Sequence, residues 1–311
     1  MSNRTAVTVT AMIGALVIAL FFWRVYKSVP TEPETLVMTS TTTSQLLSFP
    51  NIPIEAQSAY VYDALTGKVL FEKDASAERP LASLTKIMSA LTASEVAPNY
   101  LDVTLTRADI EQEGDNGLYV DENWNIAKLL NFTLVTSSND GIYAIAGAAG
   151  AQISSTSTTP VDLFVSKMNS LARQIGLQQT YFLNPSGLDI STTTSGGYGS
   201  AKDVVMLVDY ILNHDPHLLE ATTMSKMDVS SEQFMHVATN TDIAIPDIPN
   251  IIASKTGYTD LAGGNLVVAF NAGLNHPVII SVLGSSYDGR FKDMAALASA
   301  TLDYFNERRG Y

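Results

Sequence analysis

The sequence predicts an α/β fold of the α+β kind: an antiparallel sheet flanked by terminal helices, with an all-helical region inserted into it. Three observations predict it. Strand-like stretches stand early, at Ser58–Asp63 and Lys68–Glu72, and late, at Asn265–Asn271 and Pro277–Leu283. Helical patterns fill the middle, from about residue 75 to residue 231. An amphipathic stretch, Arg290–Arg308, follows the last strand. Strands contributed from both ends of a chain pair most simply as one sheet, and a site belongs in the cleft between that sheet and the helical insertion.

Three segments divide the chain: residues 1–27, 28–57 and 58–311. The first holds Ala6 to Trp23, an uncharged and mostly apolar run. Eighteen helical residues span about 27 Å, close to a bilayer core. Trp23 stands at its end, followed by Arg24 and Lys27, as at an interfacial boundary. No small-x-small cleavage pattern follows, so a retained membrane anchor is favoured over a cleaved signal peptide. Flanking charge does not set the orientation, because Arg4 and the α-amine balance Arg24 and Lys27. Residues 28–57 read as a tether, with Pro30, Pro33 and an unbroken Ser/Thr run from Thr39 to Ser44. Leu46, Leu47 and Phe49 mark where its end packs on the domain.

Within 58–311 the elements follow in order. Gly67 sits in a turn between the first two strands. Leu84, Ile87, Met88 and Leu91 recur at helical spacing from Ser83 to about Val96, and Pro98 stops the pattern. Val103–Thr106 reads as a short strand. Helical patterns start at Ile126 and at Ile142, separated by Thr136-Ser137-Ser138-Asn139-Asp140-Gly141. The all-Ser/Thr stretch Ser154–Thr159 reads as a surface insertion. Val161, Phe164, Val165, Met168, Leu171, Ala172 and Ile175 form a core-facing helical stripe closed by Gly176. Asn184–Asp189 is turn chemistry. Ser200 caps a helix running to about Leu212. The two late strands, joined by Ala272–His276, form a hairpin.

Composition narrows the function classes. The chain has 311 residues, 46% of them hydrophobic, enough for a sizeable core. Its net charge of −13 argues against a nucleic-acid partner. It has no cysteine, which excludes disulfides, thiolate catalysis, cysteine zinc sites and a lipid-modified N-terminal cysteine. His214, His217, His236 and His276 form no H-E-x-x-H pattern, which disfavours a zinc peptidase.

Three short motifs carry chemistry. Ser83-Leu84-Thr85-Lys86 puts a hydroxyl and an amine on one helical face, one turn apart. A serine becomes a nucleophile when a neighbouring base takes its proton, and a lysine serves as that base when burial or a second cation keeps it neutral. Taken alone, the stretch reads more simply as an N-cap serine with a solvated lysine, since about one S-x-x-K per chain of this length arises by chance. Ser137-Ser138-Asn139 offers a hydroxyl to relay a proton and an amide to hold a carbonyl. Lys255-Thr256-Gly257 offers a fixed cation, a carboxylate donor and a glycine that admits close backbone approach.

In the order S-x-x-K, S-x-N, K-T-G these motifs closely resemble the D-alanyl-D-alanine carboxypeptidases among the low-molecular-weight penicillin-binding proteins. Their surroundings agree: Ala82–Lys86, Thr136–Asp140, Asn184–Asp189, and Lys255–Asp260 with Ala262-Gly263. The resemblance covers roughly Ser58 to Tyr304 and implies a β-lactamase/transpeptidase-like fold. It implies that Ser83 attacks the penultimate D-alanine carbonyl of a peptidoglycan stem peptide, with Lys86 as base and Ser137 as proton relay. Asn139 then orients the substrate amide, Lys255 supplies charge, and Thr256 binds the terminal carboxylate beside Gly257. The N–H groups of Ser83 and Tyr258 form the oxyanion hole. Arg290 is either a second carboxylate partner or a helix-flanking surface charge.

The resemblance implies no metal and no organic cofactor, β-lactams as inhibitors, and an extracytoplasmic catalytic domain on a single-pass bacterial membrane protein, secreted if the N-terminal segment is cleaved. Relatives often add a C-terminal β-domain and an amphipathic membrane helix. No counterpart follows the final helix here, so residues 6–23 are expected to replace that anchor. Ser138 stands where relatives often have glycine. A D,D-endopeptidase would use the same residues. A class A-like β-lactamase needs a deacylating glutamate from mid-chain, and none occurs between Glu122 and Glu220. A non-catalytic β-lactam sensor would have lost a catalytic group, whereas Ser83, Lys86, Ser137, Asn139 and Lys255 are all present.

Overall fold

The computed structural model describes residues 48–114, 117–153 and 158–309, together with Ile18, Leu20, Trp23 and Arg24. The membrane segment expected at 6–23 and the tether up to residue 47 otherwise lie outside the described residues. Among the described residues no helix is long and apolar enough to cross a membrane. Residues Leu47–Tyr311 form one compact unit.

Its strands are β1 (Ser58–Asp63), β2 (Lys68–Lys73), β3 (Arg79–Pro80), β4 (Asp102–Thr104), β5 (Asn123–Asn125), β6 (Tyr181–Phe182), β7 (Gly197–Gly199), β8 (Lys226–Ser230), β9 (Met235–Thr239), β10 (Ile251–Thr259), β11 (Gly263–Asn271) and β12 (Pro277–Ser285). Its helices are α1 (Thr85–Val96), α2 (Arg107–Ile110), α3 (Ile126–Thr136), α4 (Asn139–Gly150), α5 (Pro160–Ile175), α6 (Ala201–His214) and α7 (Gly289–Arg309).

The main sheet is antiparallel with the order β10-β11-β12-β1-β2, so strands from both ends of the chain pair as the sequence predicts. The late strands are apolar at nearly every position because both sheet faces are covered. On one face Val268, Phe270, Ile280 and Val282 pack with Met294, Leu297 and Phe305 of α7. On the other, Val267, Ala269, Ile279 and Leu283 join a larger core with Ile87 and Met88 of α1, Ile142 of α4 and Val208 of α6. Helix α1 is buried at every position from Thr85 to Ala93, so a charged side chain on it has no surface to reach.

Local chemistry explains the helix boundaries. Asn125 caps α3 by accepting from Ala127 N and Lys128 N, Ser138 caps α4 by accepting from Gly141 N, and Ser200 caps α6 by accepting from Asp203 N. Gly176 ends α5 in the left-handed conformation at φ +88°. Phe49 packs its ring against Phe71 and Tyr304, as expected for the end of the tether.

The structure differs from the sequence reading in three places. The inserted region is not all-helical: it also carries the short sheets β3-β7-β6 and β4-β5, and β8 of the β8-β9 ribbon. Strands of two or three residues contain too little alternation to be read. Strand β10 was not expected as a full strand, because its Ser, Lys, Thr and Gly positions break any apolar pattern. Ser83 does not open the α-helix but sits in a 3-10 turn, Ala82–Leu84, just before α1.

Candidate active site

The turn carrying Ser83 is held from several directions. Leu81 N donates to Gly197 O (2.9 Å), Leu84 N to Leu81 O (3.2 Å), and Asn265 Nδ2 to Pro80 O (3.0 Å). Ala82 lies at φ 48°, a left-handed conformation costly for a residue with a Cβ. The backbone therefore stores strain immediately before the hydroxyl.

Lys86 is one turn further, fully buried at 0% exposure. Its Nζ lies 2.8 Å from Ser83 Oγ, 2.7 Å from Asn139 Oδ1 and 3.1 Å from the Ser186 carbonyl. No carboxylate is among these partners. Burial, and after it the charge of Lys255, hold the Lys86 amine well below the ordinary lysine range. A neutral amine against a serine hydroxyl is a competent general base.

Ser137 and Asn139 reach the cleft from the junction of α3 and α4. Ser137 ends α3 in the left-handed region at φ 62°. Its Oγ accepts from Lys255 Nζ at 2.8 Å. Asn139 is engaged at both ends of its amide, with Oδ1 on Lys86 and Nδ2 donating to the Glu113 carbonyl at 2.5 Å. The three motifs thus meet in two hydrogen-bonded sets, Ser83–Lys86–Asn139 and Ser137–Lys255, which the adjacency of Ser137 and Asn139 in the chain brings together.

Strand β10 forms the far wall. Lys255 is 3% exposed, and burial first, then Arg290, pull its amine down to about 7, with Asp242 opposing. Thr256 shares a 2.6 Å hydrogen bond with Thr241. A Cβ on Gly257 would sit 2.9 Å from Leu81 O and 3.1 Å from Ser83 N, so only glycine lets this strand pass the Ser83 turn. The close backbone approach expected at this glycine is that of the chain's own Leu81–Ser83 turn. Tyr258 is exposed and stacks edge-on against Tyr287 at 5.1 Å. Arg290 is not a helix-flanking surface charge: it is 3% exposed, and its Nη1 donates to the Gly257 carbonyl at 3.1 Å.

The sequence profile of the D-alanyl-D-alanine carboxypeptidases matches residues 40–287. The chain belongs to that family. Among its relatives are the D-alanyl-D-alanine carboxypeptidase DacF of Bacillus subtilis, 29% identical over 80% of this chain and 62% of that protein, and DacA of Escherichia coli, 26% identical over 82% and 63%. The chain therefore spans a little under two thirds of the length of these relatives. A D-alanyl-D-alanine endopeptidase of Haemophilus influenzae is 30% identical over 68% of this chain and 69% of that protein. The fold matches the crystal structure of a D-alanyl-D-alanine carboxypeptidase from Mycobacterium tuberculosis with TM-score 0.71, at 24% identity over 84% of this chain and 94% of that one.

Within the carboxypeptidase family fold, sequence reasoning passed over residues that complete the site. From sequence the stretch Asn184–Asp189 reads only as turn chemistry. Its Ser186 carbonyl accepts from Lys86, and its Asp189 accepts from Thr259 Oγ1 (3.0 Å) and Leu261 N (3.2 Å), which ties it to the end of β10. Asn184 Oδ1 shapes the turn by accepting from Gly187 N at 2.7 Å. A backbone acceptor has no residue-type signature, so Ser186 was not identifiable from composition. Asp242 and Thr241 were also missed, and only the density of Thr, Asn and Asp at 239–242 could have marked them.

Proposed function

We propose that this protein is a serine D-alanyl-D-alanine carboxypeptidase that removes the terminal D-alanine from peptidoglycan stem peptides. The observation that carries the reading is the fully buried Lys86 amine, held well below the ordinary lysine range by burial and then by Lys255, 2.8 Å from Ser83 Oγ. Ser83 Oγ bonds to the penultimate D-alanine carbonyl carbon as its proton passes to Lys86 Nζ. The N–H groups of Ser83 and Tyr258 receive the oxyanion, which the close passage of Gly257 supports. The carbon–nitrogen bond then breaks as the proton on Lys86 passes through Ser137 to the departing D-alanine amine, which returns Lys86 to its neutral form. Water attacks the resulting ester, Lys86 accepts the proton of that water, and Ser83 is restored.

Thr256 and the charge of Lys255 hold the terminal carboxylate. Arg290 contributes through the Gly257 carbonyl it binds. Asn139 exchanges the Glu113 carbonyl for a substrate carbonyl. β-Lactams acylate Ser83 as substrate mimics, and the absence of glutamate between Glu122 and Glu220 supports slow release of that adduct. Peptidoglycan as substrate places the domain 58–311 outside the cytoplasm, on a tether of residues 28–57. The uncharged run 6–23 within residues 1–27, about one bilayer core long and ending at Trp23, supports a single-pass anchor.

The test is release of free D-alanine from a pentapeptide ending in D-alanyl-D-alanine. Wild-type protein is expected to release it and Ser83→Ala protein to release none. Cleavage of cross-linked peptide dimers without pentapeptide trimming would make the protein an endopeptidase, and action on neither would remove the enzymatic reading.

A further inference from the structure

We propose that Ser89, a fully buried residue one turn beyond Lys86 on α1, is a positioning residue that sets the direction of the hydrogen bond between Lys86 and Ser83. The proposal rests on the serine-peptidase reading above and adds to it a residue outside the three motifs. Ser89 Oγ donates to the Pro185 carbonyl at 2.6 Å, close to the usual length for a hydroxyl donor. Its other acceptors, Thr85 O of its own helix and Met168 Sδ, lie further off at 3.5 and 3.6 Å. The next carbonyl of the same turn, Ser186 O, accepts from Lys86 Nζ at 3.1 Å. Two consecutive carbonyls of Asn184–Asp189 therefore face α1, and side chains three residues apart on that helix meet them. Asn184 Oδ1 accepts from the N–H and the hydroxyl of Ser186 at 3.2 and 3.3 Å, which shapes the turn from within. Asp189 ties its far end to β10. Ser89 fixes how its near end meets the helix that carries the base.

The Ser186 carbonyl matters because of the protons on Lys86. Of the three polar neighbours of Lys86 Nζ, two, Ser186 O and Asn139 Oδ1, can only accept. The Asn139 amide is fixed in that orientation because its Nδ2 donates to the Glu113 carbonyl. A neutral amine has two protons and one lone pair. Both protons go to the two carbonyl oxygens, which leaves the lone pair for Ser83 Oγ, 2.8 Å away and the one neighbour with a proton to give. That is the direction in which the proton must travel for Ser83 to attack. Once Lys86 holds three protons, the same three neighbours accept all of them, so the arrangement fits the base before and after the transfer. Withdrawing the Ser186 carbonyl frees one N–H of Lys86 to donate to Ser83 Oγ. The bond then runs backwards, and the hydroxyl proton points away from its base.

The experiment compares wild type, Ser89→Ala, Ser89→Thr and Ser94→Ala on the full chain. Ser94 is the control on the same helix: its hydroxyl donates to Leu91 O within α1 at 2.9 Å, so its loss leaves the turn alone. Stopped-flow acylation over a range of benzylpenicillin concentrations separates the dissociation constant of the first complex from the rate constant of acyl-enzyme formation. In Ser89→Ala the rate constant is expected to fall roughly five- to tenfold, the scale of one hydrogen bond, with the dissociation constant unchanged. Ser89→Thr, which keeps a hydroxyl, recovers the rate, and Ser94→Ala matches wild type. A rate constant within twofold of wild type in Ser89→Ala, or equal losses in both constants, would make Ser89 a packing residue and overturn the proposal. A crystal structure of Ser89→Ala reads the contact directly. Ser186 O is expected to move beyond hydrogen-bond reach of Lys86 Nζ, and an unmoved carbonyl overturns the proposal whatever becomes of the peptidase reading. A folded wild-type chain that takes no β-lactam removes the peptidase reading by itself, without bearing on that structure.

Discussion

Replacing Lys86 with methionine is expected to slow acylation of Ser83 about a thousandfold or more, the scale lost with a general base. Methionine fills a similar volume and leaves no charge to bury, so the domain should still fold. The substitution removes a group whose polar partners are Ser83 Oγ, Asn139 Oδ1 and the Ser186 carbonyl. Two of those acceptors belong to residues with other anchors: Asn139 is also held by Glu113, and Ser186 by Asn184. The rate loss should therefore exceed the stability loss by a wide margin. Stopped-flow acylation together with thermal melting checks both. A loss of less than tenfold in acylation would mean that another group takes the proton.

Gly187→Ala is expected to cost at least about 3 kcal/mol of stability, because it combines backbone strain with a clash that nothing flexible can relieve. Gly187 lies at φ +81°, and a Cβ there would fall 1.8 Å from Ala82 O and 2.6 Å from Thr85 Oγ1. The atom struck belongs to the residue before Ser83, so whatever fraction folds should carry a displaced Ser83 hydroxyl. A misplacement of about 1 Å near the chemistry costs on the order of a hundredfold in rate. Gly147→Ala in α4 is the control: a Cβ there meets nothing within 4 Å, and helix propensity alone predicts a gain of about 1 kcal/mol. Denaturant titration of both variants measures the contrast. Equal, small effects would mean that the Gly187 turn yields freely.

These two sites show where the sequence was readable. Ser83 and Lys86 could be paired because helical spacing fixes their relation whatever surrounds them. The sheet could be inferred because β11 and β12 are covered on both faces and so read as unbroken apolar runs. The glycine at 257 was rightly marked as a point of close approach, but what approaches is the Leu81–Ser83 backbone, a contact set by tertiary structure. Strand β10 escaped notice because the Ser, Lys, Thr and Gly it carries at 254–257 break its apolar pattern. Ser186 contributes a carbonyl, which any residue could supply. The burial of Arg290, and its bond to Gly257, come from the packing of α7 against the sheet, more than thirty residues away from β10 in sequence. Position in the chain alone left that arginine open between surface charge and site.

The proposed chemistry depends on Ser83 being a nucleophile that substrate-like amides acylate. Intact-mass spectrometry of the full chain after addition of benzylpenicillin, followed over time and by peptide mapping, tests it most directly. The expected result is a single long-lived adduct of one benzylpenicillin per chain, located on Ser83 and absent from Ser83→Ala protein. A folded chain that takes up no adduct, or takes it elsewhere, would remove Ser83 as the acylated residue; one that clears it rapidly would move the protein to the β-lactamases.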